Sequence, residues 1–198
     1  QGDPSYQGSD SSVAIFWDGS DDLSGIMSYE VALGSSLGAS DLVTWTDVGI
    51  DLTTDLIGLT LEDGSVYYGS VRTSDLAGNT AELNGNGVIV DTTPPEIGLV
   101  LDGLESDNEY QSTEGIEVSW SDFSDQGSGI AEYLYSLGTE ENPTSILDNV
   151  SSGLEQSMTL TGLALDHGGR YIFSIKAIDG VGNISAVAVS NGFTVDEY

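Results

Sequence analysis

The chain has 198 residues, of which 33 are acidic and three basic (Arg72, Arg170 and Lys176), for a formal net charge of -30. Such a surface repels nucleic acid and anionic membranes, whose recognition needs clustered lysine and arginine, and it attracts cations. Cysteine is absent, which excludes disulfides, cysteine-held metal centres and a thiol nucleophile. The longest apolar runs fall far short of the roughly 20 residues needed to cross a bilayer, so no membrane insertion is expected. No basic start is followed by an apolar run at Gln1, so the expectation is a mature protein or an excised fragment.

In chain order, Val13, Ile15 and Trp17 alternate with Ala14 and Phe16, and this period of two predicts a half-buried strand. Tyr29-Glu30-Val31 lies in the next run, after a cluster of Gly, Asp and Ser that reads as turn chemistry. Tyr67, Gly69 and Val71 repeat the alternation, and Asp75-Leu76-Ala77-Gly78-Asn79 reads as another turn. At Asp91-Thr92-Thr93-Pro94-Pro95 two prolines remove backbone donors and stiffen the chain.

Beyond that point the order starts again. Shifted by 104 positions, Ser24-Gly25-Ile26 falls on Ser128-Gly129-Ile130, Tyr29 on Tyr133, and Leu33-Gly34 on Leu137-Gly138. Gly58, Leu59, Leu61, Gly64 and Tyr67 fall on Gly162, Leu163, Leu165, Gly168 and Tyr171. Asp75, Gly78 and Asn79 fall on Asp179, Gly182 and Asn183. Ile116, Val118 and Trp120 answer the first alternating run, and Tyr171, Phe173 and Ile175 the later one. One module is therefore expected twice, over residues 1–92 and 93–198. No window carries a helical stripe, and short strands separated by regular turns predict an all-β fold of two tandem antiparallel β-sandwiches.

Each copy resembles a fibronectin type III module. One strand ends in tryptophan (Trp17, Trp120), and the next holds Tyr29-Glu30-Val31 or Tyr133-Leu134-Tyr135. The stretch Leu61 to Tyr67 resembles the family's tyrosine corner, with Asp63 where proline is usual, and Leu165 to Tyr171 repeats it with His167 at that place. The Asp75 to Asn79 turn followed by Val90 to Pro95 resembles the bacterial immunoglobulin-like versions found in arrays on large surface proteins. The resemblance implies an immunoglobulin-like or fibronectin-like sandwich over nearly the whole chain and says little of function, since the fold serves many roles. Tyr6-Gln7 aligns with Tyr110-Gln111, and the second copy has an additional leading segment, Glu96 to Leu104, with Ile97, Leu99 and Leu101. The first copy is accordingly expected to lack strand A, either through a shortened chain or because a neighbouring chain supplies the strand.

No catalytic system is expected. The single histidine, His167, occupies a corner position that its twin fills with Asp63, which suits a turn residue rather than the base of a Ser-His-Asp system. A phosphate loop and a metal-hydrolase histidine pair are missing from the sequence. Carboxylates are plentiful, but acid–base hydrolysis needs one of them in apolar surroundings, and these sit in turns.

In the resembled fold the B–C and F–G loops share one end of the sandwich. That places Asp18, Asp21 and Asp22 with Asp75 in the first copy, and Asp122 and Asp125 with Asp179 in the second. Hard oxygen donors of this kind suit calcium, while the competing reading is that Asp and Asn close their own turns. The order of strands further implies that Asp91, with Glu62 or Asp63, approaches Asp122, Asp125 and Asp179 where the copies join, so that calcium there would stiffen the hinge. Trp45, Tyr68, Phe123 and Tyr135 read as exposed aromatics that could stack on sugar rings, while for Trp45 the favoured expectation is packing over the sandwich edge. Asn149-Val150-Ser151 and Asn183-Ile184-Ser185 are glycosylation sequons.

Together these features predict a non-enzymatic spacer in an extracellular or cell-surface stalk, adhesin or filament, with neighbouring repeat modules of the same or adjacent chains as partners. The alternatives are an accessory module that binds a glycan or surface protein, and a strand-donating fibre subunit.

Overall fold

A computed structural model describes residues 3–197. The chain divides into two compact units, Gln1–Thr92 and Thr93–Tyr198. Every regular element among the described residues is a strand, and no helix is long and apolar enough to cross a membrane.

The first unit holds β1 (Ser5–Gln7), β2 (Ser12–Phe16), β3 (Ile26–Gly34), β4 (Val43–Gly49), β5 (Thr53–Ile57), β6 (Val66–Asp75), β7 (Thr80–Asn84) and β8 (Val88–Val90). Its larger sheet runs β1-β8-β6-β3-β4, with β7 also on β6, and β2 pairs with β5 to form the facing sheet. Successive side chains on a strand point to opposite faces, so Val13, Ile15 and Trp17 turn into the core while Phe16 stays 76% exposed. From the other sheet come Tyr29, Val31, Leu33 and Tyr67. Each fully buried Val or Leu here contributes roughly 1.5–3 kcal/mol. The Trp17 ring meets Tyr29 edge-on at 5.7 Å.

The second unit repeats the plan with β9 (Leu99–Leu101), β10 (Tyr110–Gln111), β11 (Ile116–Ser121), β12 (Ile130–Gly138), β13 (Leu147–Gly153), β14 (Ser157–Leu160), β15 (Arg170–Asp179), β16 (Ala188–Val189) and β17 (Phe193–Val195). The larger sheet runs β10-β17-β15-β12-β13, with β16 on β15, and faces β14-β11-β9. Trp120 meets Tyr133 edge-on at 5.8 Å, and Phe123 meets the same tyrosine at 5.5 Å.

The expected loss of the leading strand from the first copy holds for half of that strand. In the second unit the leading segment is split: β9 pairs antiparallel with β11, then β10 crosses to the other sheet and runs parallel to β17. The first unit keeps the second half as β1, parallel to β8. Nothing among its described residues corresponds to β9.

Both tyrosine corners form. The Tyr67 hydroxyl accepts the Glu62 N–H at 2.9 Å and the Tyr171 hydroxyl accepts the Asp166 N–H at 3.0 Å. The residues that differ between the corners do the same work. Asp63 accepts the N–H and hydroxyl of Thr92, and His167 Nδ1 accepts the N–H of Glu197 at 3.2 Å, so each ties its turn to the residue two beyond the last strand. Tyr171→Phe deletes one acceptor in a half-buried turn and should lower the stability of the second unit by about 1 kcal/mol, read as a lower urea midpoint with an unchanged slope.

Candidate functional site

The acidic loops form at the ends of long strands. Asp75 ends β6 and Asp179 ends β15, and the chain then reverses through Gly78 (φ 87°) and Gly182 (φ 97°), a left-handed backbone that glycine adopts without steric cost. Such a reversal leaves several N–H groups pointing inward without strand partners, and one carboxylate collects them. Asp179 Oδ1 accepts the N–H groups of Val181, Gly182 and Asn183 at 2.7–3.0 Å, while Oδ2 takes the Asn183 side-chain amide at 2.7 Å. Asp75 accepts Ala77 N–H, Asn79 N–H and the Asn79 amide at 2.7–2.9 Å.

The preceding loop uses the same device. Asp21 Oδ2 accepts Ser24 N–H at 2.7 Å and Gly25 N–H at 2.6 Å, and Asp125 Oδ2 accepts Gly127 N–H at 3.1 Å and Gly129 N–H at 2.6 Å. The two loops are clasped within each unit. Leu76 N–H donates to Gly25 carbonyl in the first, and Gly180 N–H to Gly129 carbonyl in the second.

The electrostatics follow from these bonds. The Asn79 side chain, then its N–H, holds the Asp75 carboxyl below the ordinary value of 3.8. Gly25 N–H, then the Ser24 hydroxyl, does the same for Asp21, with the Asp75 charge pushing the other way. The structure thus brings Asp21 and Asp75 together in the first unit, and joins the loops of Asp125 and Asp179 in the second. Asp18, Asp22 and Asp122 are exposed. Asp122 takes a left-handed backbone (φ 61°) and accepts the Ser121 hydroxyl at 3.1 Å. Asp91, in the first unit, is buried and donates its N–H to Gln7 carbonyl at 2.9 Å.

One carboxylate lies outside the reach of the sequence argument. Asp102, just past β9, is fully buried; burial raises its pKa, opposed by bonds from Ser190 and from Gly192 N–H at 2.7 Å. Its signal was an acid directly after the apolar run Leu99-Val100-Leu101, in a segment that the first copy does not share.

The expected exposed aromatics need correction. Phe123 and Tyr135 are both buried, at 8% exposure, Phe123 because it packs against Tyr133 and Tyr135 because it lies on the inward face of β12. Trp45 is half-buried, and the Arg72 guanidinium covers one face of its ring at 4.5 Å. That guanidinium is held in turn by a two-pronged pair to Glu30 at 2.6 and 2.8 Å. Of the two sequon asparagines, Asn183 is tied into its turn, whereas Asn149 is exposed and accepts Lys176 Nζ at 3.0 Å.

No family model matches the chain. Chitinase A1 of Niallia circulans is 32% identical over 181 residues, which are 89% of this chain and 23% of that protein. Exoglucanase A of Cellulomonas fimi is 32% identical over 130 residues, 61% of this chain and 13% of its own length. The chain therefore spans less than a quarter of either relative. The fibronectin(III)-like modules of Clostridium thermocellum CbhA share the fold at a TM-score of 0.57 and 13% identity, over 98% of this chain and 90% of theirs. The chain shares the fold of paired fibronectin(III)-like modules. Within that fold Asp21, Asp75, Asp125 and Asp179 close the turns at the strand ends.

Two outcomes follow. Asp179→Ala leaves three part-buried N–H groups without their acceptor and should cost the second unit about 1–3 kcal/mol, with Asp179→Asn costing less, both read by urea denaturation. Because the folded pKa of Asp75 lies below its ordinary value, its contribution is complete above pH 3.8 and is lost as pH falls through the lower folded value. Asp75→Asn should therefore flatten the acid limb of the first unit's stability profile below that pH.

Proposed function

We propose that this chain is a spacer within a longer, secreted, multidomain protein that acts on polysaccharide, holding its other domains apart outside the cell. The observation that supports the reading most is the match along 89% of this chain to 23% of a chitinase, joined to a fold of two compact units. A net charge of -30 fits the role, since like charge keeps such segments soluble and apart. Neighbouring modules are the natural partners, and a stalk or adhesin arm would use the same property.

Carbohydrate binding through Trp45 is the competing reading, favoured by the aromatic ring on β4. Incubation with insoluble chitin and glucan separates the two. The spacer leaves the chain in the supernatant, with Trp45→Ala indistinguishable from the parent. Retention on the solid, lost in Trp45→Ala, would replace the spacer with a binding module.

Calcium loading of the acidic loops is a separate proposal. Exposed Asp18, Asp22 and Asp122 sit beside the clasped loops and offer hard oxygen donors to the ion. The test is the unfolding midpoint in millimolar Ca²⁺ against Mg²⁺ at equal ionic strength. Ligand at about 100 times Kd stabilises by roughly 2.7 kcal/mol, a rise of about ten degrees or more for a domain of this size. A Ca²⁺-specific rise adds the ion to the spacer; equal midpoints assign the acids to turn closure and surface charge.

A further inference from the structure

We propose that the second unit carries a proton-operated clamp: uptake of a proton by the Asp102 carboxyl tightens the joint between the β9–β10 crossover and the break between β16 and β17. The unit then gains stability as its surroundings turn mildly acid. The inference is independent of the spacer reading, because it concerns the interior of one unit.

The clamp is built from a short loop. After β9 the chain leaves one sheet and reaches the other to form β10, and residues 102–109 make that crossing. The loop folds on itself. Asp102 N–H donates to Asp107 Oδ1 at 3.1 Å, and Asp102 carbonyl accepts Asn108 N–H at 3.0 Å. From β10, Gln111 Nε2 donates to the same carbonyl at 3.2 Å. Gly103 is packed so closely that a side chain there would run into the Ser106 carbonyl. Its own carbonyl takes the Ser119 hydroxyl of β11 at 2.6 Å. Within this closed loop Asp102 is 0% exposed.

The buried side chain is the acceptor for a distant strand end. Oδ2 accepts Gly192 N–H at 2.7 Å, at a residue whose left-handed backbone (φ 90°) leads the chain from β16 into β17. Asp107 reinforces the joint by accepting the Asn191 side-chain amide. Oδ1 has no partner and is shut off from solvent. An ionised carboxyl in that position has lost water from a charged oxygen and gained nothing there in exchange.

Two charged groups face it. Asp107, on its own loop, opposes ionisation, and Arg170, at the start of β15, favours it. The Arg170 guanidinium, however, donates to Asn191 carbonyl rather than to Oδ1. The other elements against the loop bring uncharged Gln111, Ser119, Ser190 and Gly192. Burial prevails and holds the carboxyl above its ordinary value of 3.8. The ligand that fits is a proton: calcium needs six or more oxygens around it, whereas a proton needs no added room. Between 3.8 and the higher folded value, the folded unit holds a proton that the unfolded chain does not. Stability therefore rises as pH falls through that window and levels off below 3.8. Asp21 and Asp75 of the first unit act in the opposite sense, and only below the same value.

The test is urea denaturation of the whole chain from about pH 7 down to about pH 4, read by NMR at second-unit amides, in the parent and in Asp102→Asn. The variant keeps an acceptor for Gly192 N–H and removes the charge. The parent's second unit should gain up to about tenfold in its folding equilibrium for each pH unit inside the window, and the variant should lack that gain. Glu197 and the other remote acids titrate alike in both chains, so the difference isolates Asp102. Parallel profiles for the two chains would overturn the clamp. Direct titration of the Asp102 side-chain carbon in the folded parent needs no variant: a midpoint above 3.8 supports the clamp, and one at or below 3.8 overturns it.

Discussion

Each unit depends on one packing contact, the T-shaped meeting of a tryptophan, just past β2 or near the end of β11, with a tyrosine on β3 or β12. The contact joins the two sheets at 5.7 Å in one unit and 5.8 Å in the other. It requires period-two alternation on both strands, since a slip of one residue would send Trp17 to the solvent face that Phe16 now occupies. The rest of the core, from Val31 and Leu33 to Phe173 and Ile175, stacks in register beneath it. What differs between the units is how the pair is roofed. In the second, Phe123 and β9 close over it; in the first, Gly19 lies against Tyr29 and the edge beyond Trp17 is open, because the B–C loop is one residue shorter and no segment equivalent to β9 is present among the described residues.

The charge of the chain has a structural use as well as a solubility one. Reversing a strand through a short loop exposes N–H groups that need an acceptor, and a carboxylate can take three or four of them at once. Asp75 and Asp179 do so at the same place in the two copies, and Asp21 and Asp125 at the loop alongside. For Asp21 and Asp75 these bonds lower the pKa, which makes both poor general acids. Asp102 is the opposite case, driven toward the neutral form by burial, yet it faces Ser190 and Gly192 rather than a cleft. The three basic residues are likewise engaged: Arg72 with Glu30 and Trp45, Arg170 with Asn191 carbonyl, and Lys176 with Asn149.

Much of this was legible in the sequence because duplication made it so. Val13-Ile15-Trp17 and its twin showed which face is buried, and the paired Leu61–Tyr67 and Leu165–Tyr171 stretches located both corners. The equivalence of Asp63 and His167 also read correctly, since both accept the same backbone N–H. The sequence misled where a residue's partner lay in another strand. Phe123 and Tyr135 read as surface aromatics because a loop phenylalanine and a second tyrosine on one strand carry no local sign of burial; Tyr133 and the inward face of β12 bury them. Trp45 is half-buried, as packing over the sandwich edge requires, but its Arg72 cover comes from two strands away and left no local sign. The alignment of Tyr6-Gln7 with Tyr110-Gln111 left only Glu96 to Leu104 without a counterpart, and that segment holds β9; what it could not show is that the leading strand splits between the two sheets.

The central claim is that one sandwich is built twice, closed at the β11 edge and open at the β2 edge. Residue-resolved hydrogen exchange on the chain as it stands tests this most directly, by comparing Phe16 and Asp18 with Ser119 and Ser121. The first pair should exchange much faster than the second under identical conditions, while Trp17 and Trp120, which donate to Leu52 and Gln156 carbonyls, should both be protected. Equal protection of the two pairs would contradict it.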